Sequence, residues 1–141
     1  MANRKQILDQ LKVDLAVIDS THPSYVSDVR EIIHGIVSFD QVTVRPAVAY
    51  FMTSDEVVEE HLDDNRYRRM MVTVYGYADT ELYNFDAIYD LAHDVEKFFY
   101  STDWTYTNNT LLGDIEIMNG GGDNTRSLFI MEIVIQYTQD L

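Results

Sequence analysis

Carboxylates dominate the residues whose types and spacing could do chemistry. Asp55, Glu56, Glu59, Glu60, Asp63 and Asp64 fall within ten positions, and oxygen-rich clusters of this kind suit hard divalent cations such as Mg²⁺ and Ca²⁺. The spacing fits no EF-hand loop, and no glycine lies in the cluster to turn the chain around an ion, so the better reading is a solvated acidic loop. His61, alone among acids, reads as a surface residue rather than a transition-metal ligand. Asp114 and Glu116 alternate along an expected strand and are of the type with which metal-dependent nucleases polarise phosphate through a bound ion. No lysine follows at useful spacing, and polarity of period two opposite Ile115 and Ile117 is the normal pattern of a half-buried strand. Gly120-Gly121-Gly122 would have to open a helix to cradle phosphate, whereas here it joins two strands. No GxSxG, HExxH or P-loop pattern occurs. No catalytic residue, cofactor or metal site is therefore expected.

The charge balance says more than any motif. With 24 acidic against 10 basic residues the net charge is −14, and such a surface repels phosphate backbones, whose binding needs Lys and Arg to displace counterions. A gripping contact with DNA is not expected, although a conduit through which DNA slides would be built with an acidic wall for the same reason. The basic patch Arg66, Arg68 and Arg69 directly follows the acidic cluster, an abrupt change of sign along one edge. It fits either local salt bridges, worth little when exposed, or complementary faces of neighbouring subunits in a closed ring. The second reading is preferred.

At 141 residues, 46% hydrophobic and 24% charged, the chain is expected to fold as one domain over residues 1–141. Zero Cys excludes disulfides and is compatible with a reducing cytoplasm. Met1 to Lys5 leads into no apolar run, and no window approaches the roughly 18 apolar residues of a membrane span, so neither a signal segment nor a membrane partner is expected.

These residues need a scaffold, and its centre is expected between Met70 and Tyr100. Met70 to Tyr77 is β-branched or aromatic with almost no charge, as in a strand buried on both faces. From Leu82, the apolar residues Phe85, Ile88, Tyr89, Ala92, Val95 and Phe99 recur on one helical face, with Asp86, Asp90, Asp94 and Lys97 opposite. A helix of roughly 18 residues and a strand of eight each span about 27 Å, so the two lengths match. Asn3 can cap an earlier helix whose stripe is Ile7, Leu8, Leu11, Leu15 and Ile18, with Arg4, Lys5 and Lys12 on its polar side. Asp19 to Ser24 is a turn, and Tyr25 to Ile36 reads as a strand ending near Gly35. A further strand covers Ala47 to Met52, with Pro46 at its start. Thr53 to Asn65 is expected to be a mobile loop, and Ser101 to Thr110 a loop or weak extended segment holding the only Trp. Leu111 to Met118 and Ser127 to Tyr137 flank a glycine-rich tip that includes Asp123, a hairpin signal. Phe129, Met131, Ile133, Ile135 and Tyr137 should face the core. The fold class is α/β in the broad sense (α+β): a single mixed, largely antiparallel sheet of four to five strands packed against two main helices.

This order of features resembles the tail terminator, or tail-completion, proteins of long-tailed bacteriophages, the minor tail protein U-like family. The likeness lies in the helix Arg4 to Ile18, the Pro-led strand Arg45 to Phe51, the acidic loop, the strand Met71 to Tyr77, the helix ending Val95-Glu96-Lys97-Phe98-Phe99, and the terminal strand Ile133 to Tyr137. It implies a non-enzymatic virion protein located in the tail and assembled in the host cytoplasm. Its ring, a hexamer, would cap the tail tube, end tube polymerisation and offer the surface for head joining. Implied partners are further copies of the chain, the tail tube protein, a neck or head-completion protein and a sheath protein, with DNA passing through the lumen unbound. On that resemblance Asp55, Glu56, Glu59, Glu60, Asp63, Asp64, Arg66, Arg68, Arg69 and Asp123 become candidates for a subunit interface or the lumen. The alternatives are another neck or head-completion protein, or a nuclease working through Asp114 and Glu116.

Overall fold

A computed structural model describes residues 3–35, 41–60, 65–79, 85–101, 103–105, 110–119 and 126–140. The chain runs α1 (Arg4–Asp14), a 3₁₀ turn (Leu15–Val17), β1 (Glu31–His34), β2 (Ala47–Glu60), β3 (Asn65–Asp79), α2 (Asp86–Tyr100), β4 (Thr110–Asn119) and β5 (Arg126–Asp140). The strands form one sheet in the order β1-β2-β3-β5-β4. Only β1 and β2 are parallel; every other pair is antiparallel. This is the mixed, mostly antiparallel sheet with two helices that the hydrophobic pattern implies.

Local chemistry explains where α1 begins. Asn3 Oδ1 accepts from the Gln6 N–H and Gln6 Oε1 accepts from the Asn3 N–H, both at 2.9 Å, so the first turn of α1 is closed by a reciprocal cap. Ile7, Leu8 and Leu11 point from α1 into the core. The inner face of α2 is Ile88, Leu91, Ala92, Val95, Phe98 and Phe99, all buried. Both helices cover one face of the sheet, where Val48, Tyr50, Val72, Val74, Met131 and Ile133 meet them. Gly76 sits opposite Phe129, and a Cβ there would lie 1.9 Å from the Phe129 ring, so the close approach of ring and strand requires glycine. Trp104, after α2, is buried with its ring edge-on to Phe99 at 4.9 Å.

Several elements depart from the sequence-based expectation. Thr53 to Glu60 is strand rather than loop, because β3 supplies a pairing partner along its whole length, interrupted only by irregularities at Met52/Ser54 and Val57/Glu59. The strand expected over Tyr25 to Ile36 is confined to Glu31–His34, paired with Ala47 to Tyr50. The lengths do not match either: β3 and β5 have 15 residues each, about 50 Å of strand, against about 22 Å for the 15-residue α2. The sheet therefore outruns α2 and projects as a three-stranded arm of β2, β3 and β5. On α2 itself, Tyr89 is 53% exposed, whereas Asp94 is 1% exposed; the helical face is rotated from the one expected. The hairpin tip with Gly120 to Gly122 lies outside the described residues.

Candidate assembly surface

The base of the arm is held by one carboxylate. Asp55 pairs across to Met70, a core residue, so its side chain points to the helix face of the sheet and is only 4% exposed. An ionised carboxylate placed there without partners would cost several kcal/mol. Three elements satisfy it. Arg68 of β3 donates from Nε to Oδ1 at 3.0 Å and from Nη2 to the Asp55 main-chain oxygen at 3.2 Å. The Tyr137 hydroxyl of β5 donates to Oδ2, and Arg4 Nε in the first turn of α1 lies 2.7 Å from the same oxygen. Burial first, and the hydrogen bond to Asp55 second, push the Tyr137 hydroxyl pKa up. Contact with the Tyr137 hydroxyl and then the Asp55 charge hold Arg4 more firmly in its charged form.

The other expected interface residues are dispersed along the arm. Glu56 and Arg69 form a pair at 2.8 Å, about half exposed, of the kind worth under about 1 kcal/mol. The change of sign read from the sequence is thus met within the chain for Asp55 with Arg68 and for Glu56 with Arg69, the local reading that the sequence analysis set second. Glu59 and Glu60 continue β2 with their backbones opposite Tyr67 and Arg66, and Arg66 is flanked on its other side by Gln139. Asp63, Asp64, His61 and Asp123 lie outside the described residues.

The less covered parts of the sheet are its two edges and the stretch of the far face beyond a small buried cluster of Val42, Ala47, Ala49 and Tyr77. β1 pairs only with Ala47 to Tyr50, so among the described residues no strand lies beside Phe51 to Glu60 on that edge. Nor does one lie beyond β4. Among the described residues, five of the eleven exposed large apolar side chains sit on these edges: Val57 and Val58 on β2, Leu111, Ile117 and Met118 on β4. On the far face Phe51 stacks on Tyr75 at 5.8 Å. Asp114, Glu116 and Glu132, with Ile130, line an open depression of about 230 Å³. None of these three acids has a cationic partner among the described residues, and no group of three or more Asp, Glu or His among them is disposed to hold a metal ion.

The anchoring roles of Asp94 and Lys97 on α2, and of Tyr25, escape the sequence reading. Asp94 Oδ2 accepts the N–H groups of Val26 and Ser27 at 3.1 and 2.7 Å, and Lys97 Nζ donates to the Ser24 carbonyl at 2.9 Å, so α2 clips down the segment before β1. The spacing of Asp94 from Leu91 and Phe98, three and four positions away on the buried stripe, is the signal that places it inward. Tyr25 donates to Asp103 at 2.7 Å; nothing in its local pattern indicates a partner 78 positions away. No known protein family matches the sequence, and no characterised protein matches it either.

Proposed function

We propose that this protein is a structural ring subunit of a long-tailed phage virion, capping the tail tube, ending its polymerisation and presenting the surface for head joining. The observation that carries the reading is the placement of exposed apolar side chains on two opposite edges of one sheet. Isolated apolar residues need no explanation on a surface, but paired strips at open strand edges call for protein contact. A subunit touched on both flanks by copies of itself meets that demand in a closed ring. The architecture agrees with the one the family resemblance implies, and the net charge of −14 suits a ring on the path of DNA.

The test is oligomeric state and target together. Size-exclusion chromatography with light scattering should give a mass near six times 16.4 kDa, and negative-stain images should show rings in solution or seated on the ends of purified tail tubes. A protein that stays monomeric at high concentration and leaves tube ends bare overturns the proposal. Seating on the neck alone would favour a head-completion role.

A further inference from the structure

We infer that the ring closes by strand pairing between copies, the free edge of β2 at Ser54–Val57 lying antiparallel against the free edge of β4 at Ile115–Met118 of the next copy. The inference rests on the ring reading and specifies its interface. An open strand edge presents N–H and C=O groups at strand spacing, and the occupant that matches them is another strand. The irregularities at Met52/Ser54 and Val57/Glu59 on β2, and at Leu112/Ile115 on β4, leave these two stretches as the regular parts of their edges.

Charge selects β2 against β4 over either edge against itself. Among the side chains described around the β2 stretch, Arg4, Arg68 and Arg69 stand with Asp55 and Glu56, three cations to two acids. Asp114, Glu116 and Glu132 line the β4 side, none of them paired to a cation among the described residues. A two-fold β4–β4 contact would set Asp114 and Glu116 against their own copies, a destabilising arrangement. Direction agrees as well. Counting across the antiparallel pairs β2–β3, β3–β5 and β5–β4, β4 runs opposite to β2. A rotation that carries one copy onto the next about an axis running generally with the strands keeps those directions, so the junction is antiparallel.

Closure fixes the register. Val57 is level with Arg68 and Tyr137, and Ile115 with Met131. Setting Val57 beside the partner's Ile115 staggers successive copies by six residues, about 20 Å, over four strands about 19 Å wide. That is a strand tilt of about 45°, within the range at which sheets close on themselves. The same register puts Ser54 opposite the partner's Met118 and the partner's Glu116 opposite Glu56, a like-charge contact that Arg69, already paired with Glu56 at 2.8 Å, offsets.

The chain has no cysteine, so engineered pairs read the contact directly. Within one copy Ser54 and Met118 are kept apart by β3 and β5, three strand spacings or about 14 Å at the least, too far for a disulfide. Under mild oxidation with diamide, S54C/M118C and V57C/I115C should shift from a single 16.4 kDa band to a ladder of its multiples, while each single variant gives none beyond a dimer. Rings with no ladder from either pair overturn the interface and leave the ring reading standing. Ladders from chains that form open polymers support the edge pairing and overturn the ring. Neither rings nor ladders overturns both.

Discussion

Asp55 is the residue on which most of the arm's geometry converges, and removing it should cost more than removing any exposed acid. Asp55→Ala leaves Arg68, 11% exposed, without its counter-charge and the Tyr137 hydroxyl without its acceptor. The expected loss is about 3 kcal/mol in urea unfolding, the scale for breaking one partner of a buried ion pair, against less than about 1 kcal/mol for Glu56→Ala. Equal losses would mean that Asp55 is no more internal than Glu56. Buried phenols make a second expectation. Burial raises Tyr25 and Tyr77 to about 12, and pushes Tyr50, whose hydroxyl donates to the Leu8 carbonyl, up further. In the unfolded chain these groups ionise near pH 10. Their contribution is therefore whole below about pH 10 and is lost as pH climbs through the folded values, since the unfolded state then releases protons that the folded state keeps. The urea midpoint should be flat with respect to these groups from pH 7 to about 10 and fall steeply above it. Tyr77→Phe, which removes the ionisable hydroxyl and keeps the ring, should blunt that fall; an unchanged slope would remove Tyr77 from the account.

At the scale of elements, α2 is a platform and the β2–β3 arm is the projecting part. Val95, fully buried in α2, faces the sheet; Val95→Asp should abolish folding, measured as loss of a cooperative thermal transition. Asp94→Ala is a different kind of lesion. It releases two N–H groups of the segment before β1, at a cost of about 1–3 kcal/mol, and amide exchange should accelerate at Val26 and Ser27 while the β3 amides stay protected. Protection lost equally in both places would show that Asp94 holds the core and not the segment. What could be read from sequence follows the same division. Met70 to Tyr77 and Phe129 to Tyr137 carry their structure in their own apolar pattern. Thr53 to Glu60 does not: its acids resemble a loop because the arginines of β3 and α1 that make a strand of it are supplied from elsewhere, and strand preference is set by such neighbours. For the same reason Asp55 was legible as an acid but not as a buried one, whereas Asp94, set on the polar face of α2 by the sequence reading, is buried, and its spacing from Leu91 and Phe98 carries a signal which that reading passes over. The open edges of β2 and β4 depend on strand order, which no local pattern encodes.

At the scale of the whole molecule, the charge of −14 works against any ring of identical copies, and its size decides how assembly should respond to salt. Treated as spheres with centres about 30 Å apart in water, two copies repel by on the order of 10 kcal/mol at 0.01 M salt, where the screening length is about 30 Å. At 0.15 M that length is about 8 Å and the same repulsion falls below about 1 kcal/mol. Contacts at the junction between the edges are short-ranged and partly shielded from solvent, so screening removes less from them than from the long-range term. On the ring reading the population of assembled species should therefore rise as salt is raised from 0.01 to 0.15 M. The triple variant Asp114→Asn, Glu116→Gln, Glu132→Gln lowers the repulsion but also removes the charge that meets Arg69 of the next copy. Because Glu116 alone of the three reaches Arg69 in the proposed register, the variant should shift assembly to lower salt while giving rings that dissociate somewhat more readily when diluted at 0.15 M. Light scattering across a salt series measures both, and assembly that weakens steadily with added salt in the unaltered protein would show that charge attraction, rather than apolar contact and strand pairing, holds the copies together.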